Sequence, residues 1–442
     1  MDTRRGFIKT AGGAFFIAAA GKAFGANAPS NRVRLAIVGC HEKGRGARVM
    51  RAAMEAGAEI ACVCDVDSRA REYAVAEVLK HGGYKPRAEK DLRKVLEDKS
   101  IDGIISETPD HWHACSAILA MRAGKGVYVE KPCCFRPEEG ELLVKVWKET
   151  GMTLQVGSQR RASKAYREII DWVNGPEKPI GELRFAKCLC SCGRASIGHG
   201  KETAVPDWLD WDLWQGPAPR RKFRDNLVHY NWHWFRHWGT AESGNNAPHF
   251  CDVARWALQV GFPKRVTCGG GKVFPWIDDD FEWPDTFNMS FEFPNDKLII
   301  FDITSRTPSR NEKDMKSGSI VYGEKGSVFF GLSDDGVVYD EKGKVLRTWD
   351  PADMKVGSLT NPTATLDVAH MKNFIDNLKA RSQGTFVPAD EGYMSSYLPL
   401  AANVALDTHS VLEIDPKTGR PLNNPAAMKI WGREYEKGWE LA

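Results

Sequence analysis

The chain has 442 residues, 42% of them hydrophobic and 27% charged, with a formal net charge of +3. That length supports two or three domains with a sizeable core, and that composition excludes a disordered or fibrous protein. With the charge nearly balanced and no basic block or basic helix in view, no nucleic acid partner is expected.

Residues 1–28 read as a leader and not as part of the fold. Thr3-Arg4-Arg5-Gly6-Phe7-Ile8-Lys9 matches a twin-arginine export signal, and Ala26 and Ala28 form a small-x-small end. The apolar core between them is too short to span a bilayer, so the expectation is a periplasmic protein, exported folded, without a membrane anchor. Eleven cysteines sit oddly beside an oxidising destination. None has C-x-x-C spacing, so no metal site is expected, and most read as small buried hydrophobes. Cys188, Cys190 and Cys192 alternate, which places all three on one side of a strand.

From Arg32 to Asp67 an apolar run (Val33, Leu35 to Val38), a glycine turn, a helix-like segment and a second apolar run ending at Asp65 spell strand, turn, helix and parallel strand. The turn carries Gly39, Gly44 and Gly46, residues without a Cβ to block a pyrophosphate at a helix N-terminus. Asp65 follows Gly39 by 26 positions, close to where a carboxylate accepts from an adenosine ribose. His41 stands where the second glycine of G-x-G-x-x-G belongs. The alternation then continues through helices at 69–81 and 91–100, the strand IDGIISETP, the helix HWHACSAILAMRAGK, the strand GVYVEKP, a helix opening at Pro137 and the strand MTLQVGSQRR. Alternation at this spacing predicts a parallel sheet covered on both faces, a doubly wound Rossmann sheet over 29–157.

From 158 to 442 the pattern becomes α+β. One helix (SKAYREIIDWV), a strand holding the three alternating cysteines, and a tract from Pro206 to Trp238 dense in Trp, Pro and His come first. That tract reads equally as a packed surface loop or as the wall of a polar pocket, with His229, His233 and His237 as pocket lining of no assigned role. A helix over NNAPHFCDVARWALQ, a succession of strands with short turns from 265 to 349, and two late helices complete the chain. Sequential strands with short turns predict a large open, mostly antiparallel sheet.

Two loops at strand ends carry candidate chemistry: Thr108 to Ala114, and Glu130-Lys131-Pro132, where the proline aims Lys131 into the crevice of a doubly wound sheet. Taken with the glycine turn, Asp65, the Val156 to Arg161 segment and a helix bearing His249 and Asp252, they make the chain resemble the Gfo/Idh/MocA oxidoreductases over about 31–435. The resemblance implies binding of NAD at the turn, with Gly39, Gly44 and Gly46 at the pyrophosphate and His41 and Arg45 in the same turn. It places Asp65 on the ribose, Thr108, Pro109 and His113 along the nicotinamide half, and Glu130 beside Lys131. Asp65 disfavours a 2′-phosphate, although Arg69 leaves NADP open. Lys131 matches the family's catalytic lysine, and His249 its acid or base on the substrate hydroxyl, while Gln159, Arg160 and Asn245 would position neighbouring hydroxyls. Asn245 departs from the family pattern, which has an aspartate four residues before the histidine; an amide cannot stabilise a cationic imidazole as a carboxylate does. The expected function is oxidation of a secondary hydroxyl of a sugar, polyol or glycoside with a retained cofactor. The alternatives are an NAD-dependent glycosidase and a non-catalytic sugar binder, and a homo-oligomer is expected by resemblance.

Overall fold

The first half follows the alternation of the sequence. β1 (Arg34–Val38), α1 (Arg45–Glu55), β2 (Glu59–Cys64), α2 (Ser68–Gly82), β3 (Arg87–Glu89), α3 (Leu92–Glu97), β4 (Gly103–Ser106), α4 (Asp110–Arg122), β5 (Gly126–Val129), α5 (Pro137–Thr150) and β6 (Leu154–Val156) follow in turn. The computed structural model describes residues 32–42, 44–306, 317–332, 334–350 and 362–441; the leader read over 1–28 lies outside them. All six strands are parallel, in the order β3-β2-β1-β4-β5-β6. β4, β5 and β6 are buried throughout, which is why they read as continuous apolar runs and not as alternating ones. Asp67 and Asp91 cap α2 and α3 by accepting from the N–H of Arg69 and Arg93. The sequence reading missed β3, whose three residues on the sheet edge are too few and too polar to show a period. Strand order reverses between β1 and β4, which opens a crevice at their carboxyl ends, between Gly39 and Glu107.

Beyond β6 come α6 (Lys164–Asn174), capped by Ser163, and β7 (Leu183–Ser191). The aromatic tract holds α7 (Trp211–Gln215) and a 3-10 turn at Asn231–Trp234. The helix expected over 245–259 is α9 (Ala247–Leu258); a short α8 (Ala241–Asn245) precedes it and does not run on into it, because Pro248 in the first turn of α9 cannot donate backward. β8 (Arg265–Gly271), β9 (Thr286–Phe293), β10 (Lys297–Thr304), β11 (Gly318–Gly323), β12 (Gly326–Phe330), β13 (Gly336–Asp340) and β14 (Val345–Trp349) follow. After them come α10 (Pro362–Ala380), α11 (Ala389–Asp407), β15 (Leu412–Glu413) and α12 (Pro425–Lys429).

The second sheet has nine strands, ordered β14-β13-β12-β11-β7-β10-β9-β8-β15. Every pairing is antiparallel except β7 with β10. β7 comes from far earlier in the chain and inserts between β10 and β11, so these two consecutive strands do not pair. α9 and α11 cover one face. The other face carries Phe185 stacked on Tyr322, with Leu298, Ile300, Ile320 and Phe329 only half buried. α10 returns to the first sheet, where Met371, Phe374 and Ile375 join the core of β1 and β2 and Asp367 pairs with Arg45 and Arg48 of α1.

A buried ion pair locks α9 in place. Arg161, just after β6, meets Asp252 through two hydrogen bonds of 3.0 and 2.9 Å, and Ser395 of α11 donates to the same carboxylate at 2.7 Å. Burial by itself would raise the Asp252 carboxyl; the Arg161 guanidinium overrides this and holds it below the usual range. Asp252→Ala leaves the buried Arg161 charge with only its 3.2 Å contact to the half-buried Glu391, and is expected to cost roughly 3 kcal/mol in urea unfolding. The same lowered value means the pair's contribution is present above the unfolded carboxylate pKa and is lost as pH falls through the folded one. The parent should therefore lose its advantage over the variant in acid.

Candidate active site

At the end of β1 the chain turns through Gly39, which has φ +85°; a Cβ there would lie 2.5 Å from the Glu107 carbonyl oxygen. A Cβ on Gly46 would lie 2.1 Å from the Gly39 carbonyl oxygen. The two glycines thus press the turn, the loop after β4 and the first turn of α1 together. Gly44 opens α1 with no side-chain cap and no acidic residue in the first turn, so the helix N–H groups are left for an anion.

Asp65 is oriented by that turn: one carboxylate oxygen accepts from Cys40 N–H at 2.7 Å, the other from Asp67 N–H at 3.0 Å. His41 occupies the second-glycine position by stacking on His229, with ring centroids 4.3 Å apart. His229 donates from Nε2 to Asp67 at 2.7 Å, and Arg69 grips the same carboxylate at 3.1 and 2.8 Å while its guanidinium lies 3.4 Å over Trp208. Arg69 is thereby turned toward Asp67 and Trp208, with its charge shared with a carboxylate and not held open for a 2′-phosphate. Asp65→Asn should weaken NAD by about tenfold, the equivalent of one charged hydrogen bond, and narrow its preference over NADP; dissociation constants for the two nucleotides would check it.

The loops after β4 and β5 meet across α4. His113 places Nδ1 at 2.6 Å from the Pro132 carbonyl and Nε2 at 2.8 Å from the Thr108 carbonyl. With a carbonyl at each nitrogen, His113 offers no lone pair to a ligand and acts as a tie between the two loops. Lys131, joined to Pro132 by a cis peptide, donates from Nζ to the Asn245 carbonyl at 2.6 Å. Burial lowers the Lys131 ammonium below its ordinary range, with Glu130 and Asp110 opposing. Glu130 accepts from Arg45 at 2.7 Å and Gln159 at 3.2 Å, and Arg45 and Lys131 hold it ionised against its burial. Glu107 lies against this pair with a buried Oε1 that has no partner among the described residues. Burial and the Glu130 charge push its carboxyl well above the usual range.

Gly39, His41, Gly44, Arg45, Gly46, Asp65, Thr108, Pro109, His113, Glu130, Lys131 and Asn245 line one cavity of about 390 Å³, large enough for a small ligand. Gln159, Arg160 and His249 lie outside its lining. Gln159 reaches the site through Glu130, and Arg160 lies 4.6 Å over Phe250. His249 sits in the first turns of α9, its ring without a hydrogen bond among the described residues; burial, with Lys131 and Arg160 adding to it, lowers its imidazole well below the usual value.

The aromatic tract supplies the opposite wall. Leu209, Trp211, Trp214, Phe223, Trp232 and Trp238 form a core of their own, tied to the first sheet by Ser68 N–H to Trp208 O at 2.9 Å and Trp112 Nε1 to Trp214 O at 2.9 Å. Trp214, His229, Tyr230, Trp232 and His233 face the cavity, while His237 turns away to the Pro219 carbonyl. Both readings of the tract hold: it is a packed strap, and its inner side is pocket wall. Sequence reasoning missed Glu107 and Asp110 and could not tell which rings face inward, since aromatic density carries no facing information. The three alternating cysteines do share one side, with Cys190 and Cys192 sulfurs 3.6 Å apart, and all eleven cysteines are free thiols, nine of them buried.

An uncapped helix N-terminus behind a glycine turn, an oriented carboxylate after β2, and, beside the same cavity, a buried Glu107 oxygen with no partner among the described residues are groups that fit a dinucleotide. Fold and site define a Rossmann dinucleotide-binding protein. Residues 33–158 match the model of the oxidoreductase family with an NAD-binding Rossmann fold, and residues 217–329 match the GFO/IDH/MocA C-terminal domain. The chain belongs to the Gfo/Idh/MocA family, and its cofactor is NAD.

Among relatives, the chain is 36% identical to a scyllo-inositol 2-dehydrogenase (NAD(+)) of Bacillus subtilis over 133 residues, 30% of this chain and 37% of that one. It is 29% identical to glycosyl hydrolase family 109 protein 1 of a Shewanella species over 220 residues, 49% and 42% of the two chains. The matches thus span less than half of each relative. Two solved structures share the fold: the WlbA dehydrogenase of Bordetella pertussis with NADH and UDP-GlcNAcA (TM-score 0.65, 19% identity, covering 87% of this chain and 98% of that one), and a levoglucosan dehydrogenase with NADH and levoglucosan (TM-score 0.63, 16% identity, 86% and 99%).

Proposed function

We propose that the chain is an NAD-dependent oxidoreductase acting on a secondary hydroxyl of a sugar, polyol or glycoside, with nucleotide retained and recycled between turnovers. The observation that carries this reading is the continuity of one cavity from the Gly39 turn to Lys131 beneath the aromatic strap. When bound there, NAD supplies the hydride acceptor. The chain's own residues do the rest: Lys131 holds or takes the proton of a ligand oxygen, and Glu130, fixed by Arg45 and Gln159, sets the turn that aims it. His249, neutral behind Lys131, is the second station for that proton, and the strap excludes water. The dehydrogenase relatives support this class of reaction.

The same reading divides the mature chain into a nucleotide part over 29–157 and a substrate part over 158–442. It places the protein in the periplasm by the twin-arginine route, where no free NAD pool exchanges; cell fractionation checks this. The half-buried apolar face around Phe185 and Tyr322 is the surface through which copies would associate.

The deciding experiment is the nucleotide content of protein purified without added cofactor, released by denaturation and identified by mass and absorbance. Stoichiometric NAD, reduced on adding scyllo-inositol or levoglucosan, is the expected result. Protein that is empty and fails to bind added NAD would overturn the reading. A second reading is favoured by the family 109 match, which extends over 49% of the chain: a glycosidase that oxidises its sugar only transiently. Net release of an aglycone without a steady change in NADH absorbance would select it.

A further inference from the structure

This inference rests on the reading of the cavity as a sugar site. We propose that Nε2 of His233 accepts a hydrogen bond from a ligand hydroxyl, making the inner side of the aromatic strap a polyol subsite separate from the His249 helix.

His233 sits in the 3-10 turn Asn231–Trp234, with Nδ1 at 2.6 Å from the Tyr230 carbonyl oxygen. A carbonyl can only accept, so Nδ1 carries the proton and Nε2 presents a lone pair. The ring lies flat on Trp232, centroids 3.6 Å apart and planes 17° from parallel, which fixes where Nε2 points. It lines the cavity together with Lys131, Asp110 and Asn245, and Nε2 has no partner among the described residues. Burial pushes the imidazole down to about 4 against the opposing charges of Asp110 and Glu242, with Lys131 adding to the lowering, so it is neutral at pH 7.

An acceptor held this way needs a donor, and no hydrogen bond from a protein group reaches Nε2 among the described residues. The Thr240 N–H and hydroxyl already go to Asp110, and Lys131 gives one of its three N–H groups to the Asn245 carbonyl. A ligand hydroxyl can supply the missing donor. A hydroxyl fits, because Trp214 and Trp232 give the same wall an apolar lining beside this single acceptor, which suits the mixed C–H and O–H surface of a sugar or cyclitol. Among the other histidines, His113 has both nitrogens turned to carbonyls and His249 is not on the wall.

The test uses the full chain with the nucleotide it carries, treated with diethyl pyrocarbonate, which acylates a neutral, open imidazole nitrogen, and read by peptide mass. His233 should be modified, and scyllo-inositol or levoglucosan should slow its modification at least fivefold. His233→Leu should bind the protecting polyol about tenfold more weakly, as for one lost hydrogen bond, while His233→Gln, with a carbonyl in place of Nε2, keeps most of the affinity; both should retain their nucleotide. An unmodified His233, equal rates with and without both polyols, or unchanged affinity in His233→Leu would overturn the subsite. Protection without turnover would sink the redox reading and leave the subsite standing. Turnover without protection would do the reverse.

Discussion

Lys131→Met is expected to lower kcat by about 10²–10⁴-fold while leaving the nucleotide bound. The lysine lines the cavity on a loop held by His113 at Pro132 and by Arg45 and Gln159 at Glu130, so removing its amine should leave the loop in place. Its Nζ has one protein acceptor, the Asn245 carbonyl, and two donor positions remain for a ligand. Burial lowers this amine below the ordinary lysine range, so more free base is present near neutrality than an exposed lysine would provide. The sign follows: activity should rise with pH along a limb lying below the usual lysine value, and that limb should vanish in the variant. Lys131→Arg separates charge from basicity, because a guanidinium donates but does not give up its proton. If the lysine works as a base, the arginine variant stays as slow as the methionine one; single-turnover reduction of the bound nucleotide reads both.

Gly39→Ala should abolish co-purification of the nucleotide and destabilise the fold by roughly 1–3 kcal/mol. Two causes add at one atom. The residue has φ +85°, where a Cβ is strained, and that Cβ would stand 2.5 Å from the Glu107 carbonyl. Either the turn moves off the β4 loop or the loop moves away, and each separates the Asp65 carboxylate from the Cys40 N–H that orients it. The control is Gly57→Ala, also at positive φ but with nothing within 4 Å of its Cβ and remote from the cavity. It should cost stability alone, as thermal unfolding would show, and keep the nucleotide. Equal nucleotide loss in both would mean that the effect is global strain and not the cradle.

The residues that chemistry needs at fixed local spacing were legible in the chain. Gly39, Gly44, Gly46 and Asp65 are tied to strand ends one βαβ unit apart, and Glu130-Lys131-Pro132 directly follows a buried strand, so periodicity alone placed them at one edge of a parallel sheet. The structure brings them into one cavity. Asp252 was legible only as a member of a motif; packing makes it the partner of Arg161 and a support of α9.

What the sequence by itself determined is the doubly wound first half, the nucleotide edge and the aim of Lys131, because those follow from residue types repeating at the period of a strand or helix. Only the tertiary structure decided that β7 would part β10 from β11, that burial beside Glu130 would raise the Glu107 carboxyl, and that Trp214, Trp232 and His233 would line the cavity. These depend on contacts between segments tens to hundreds of residues apart. No local period records such contacts, since the free energy of burying a ring is the same whichever distant wall it meets.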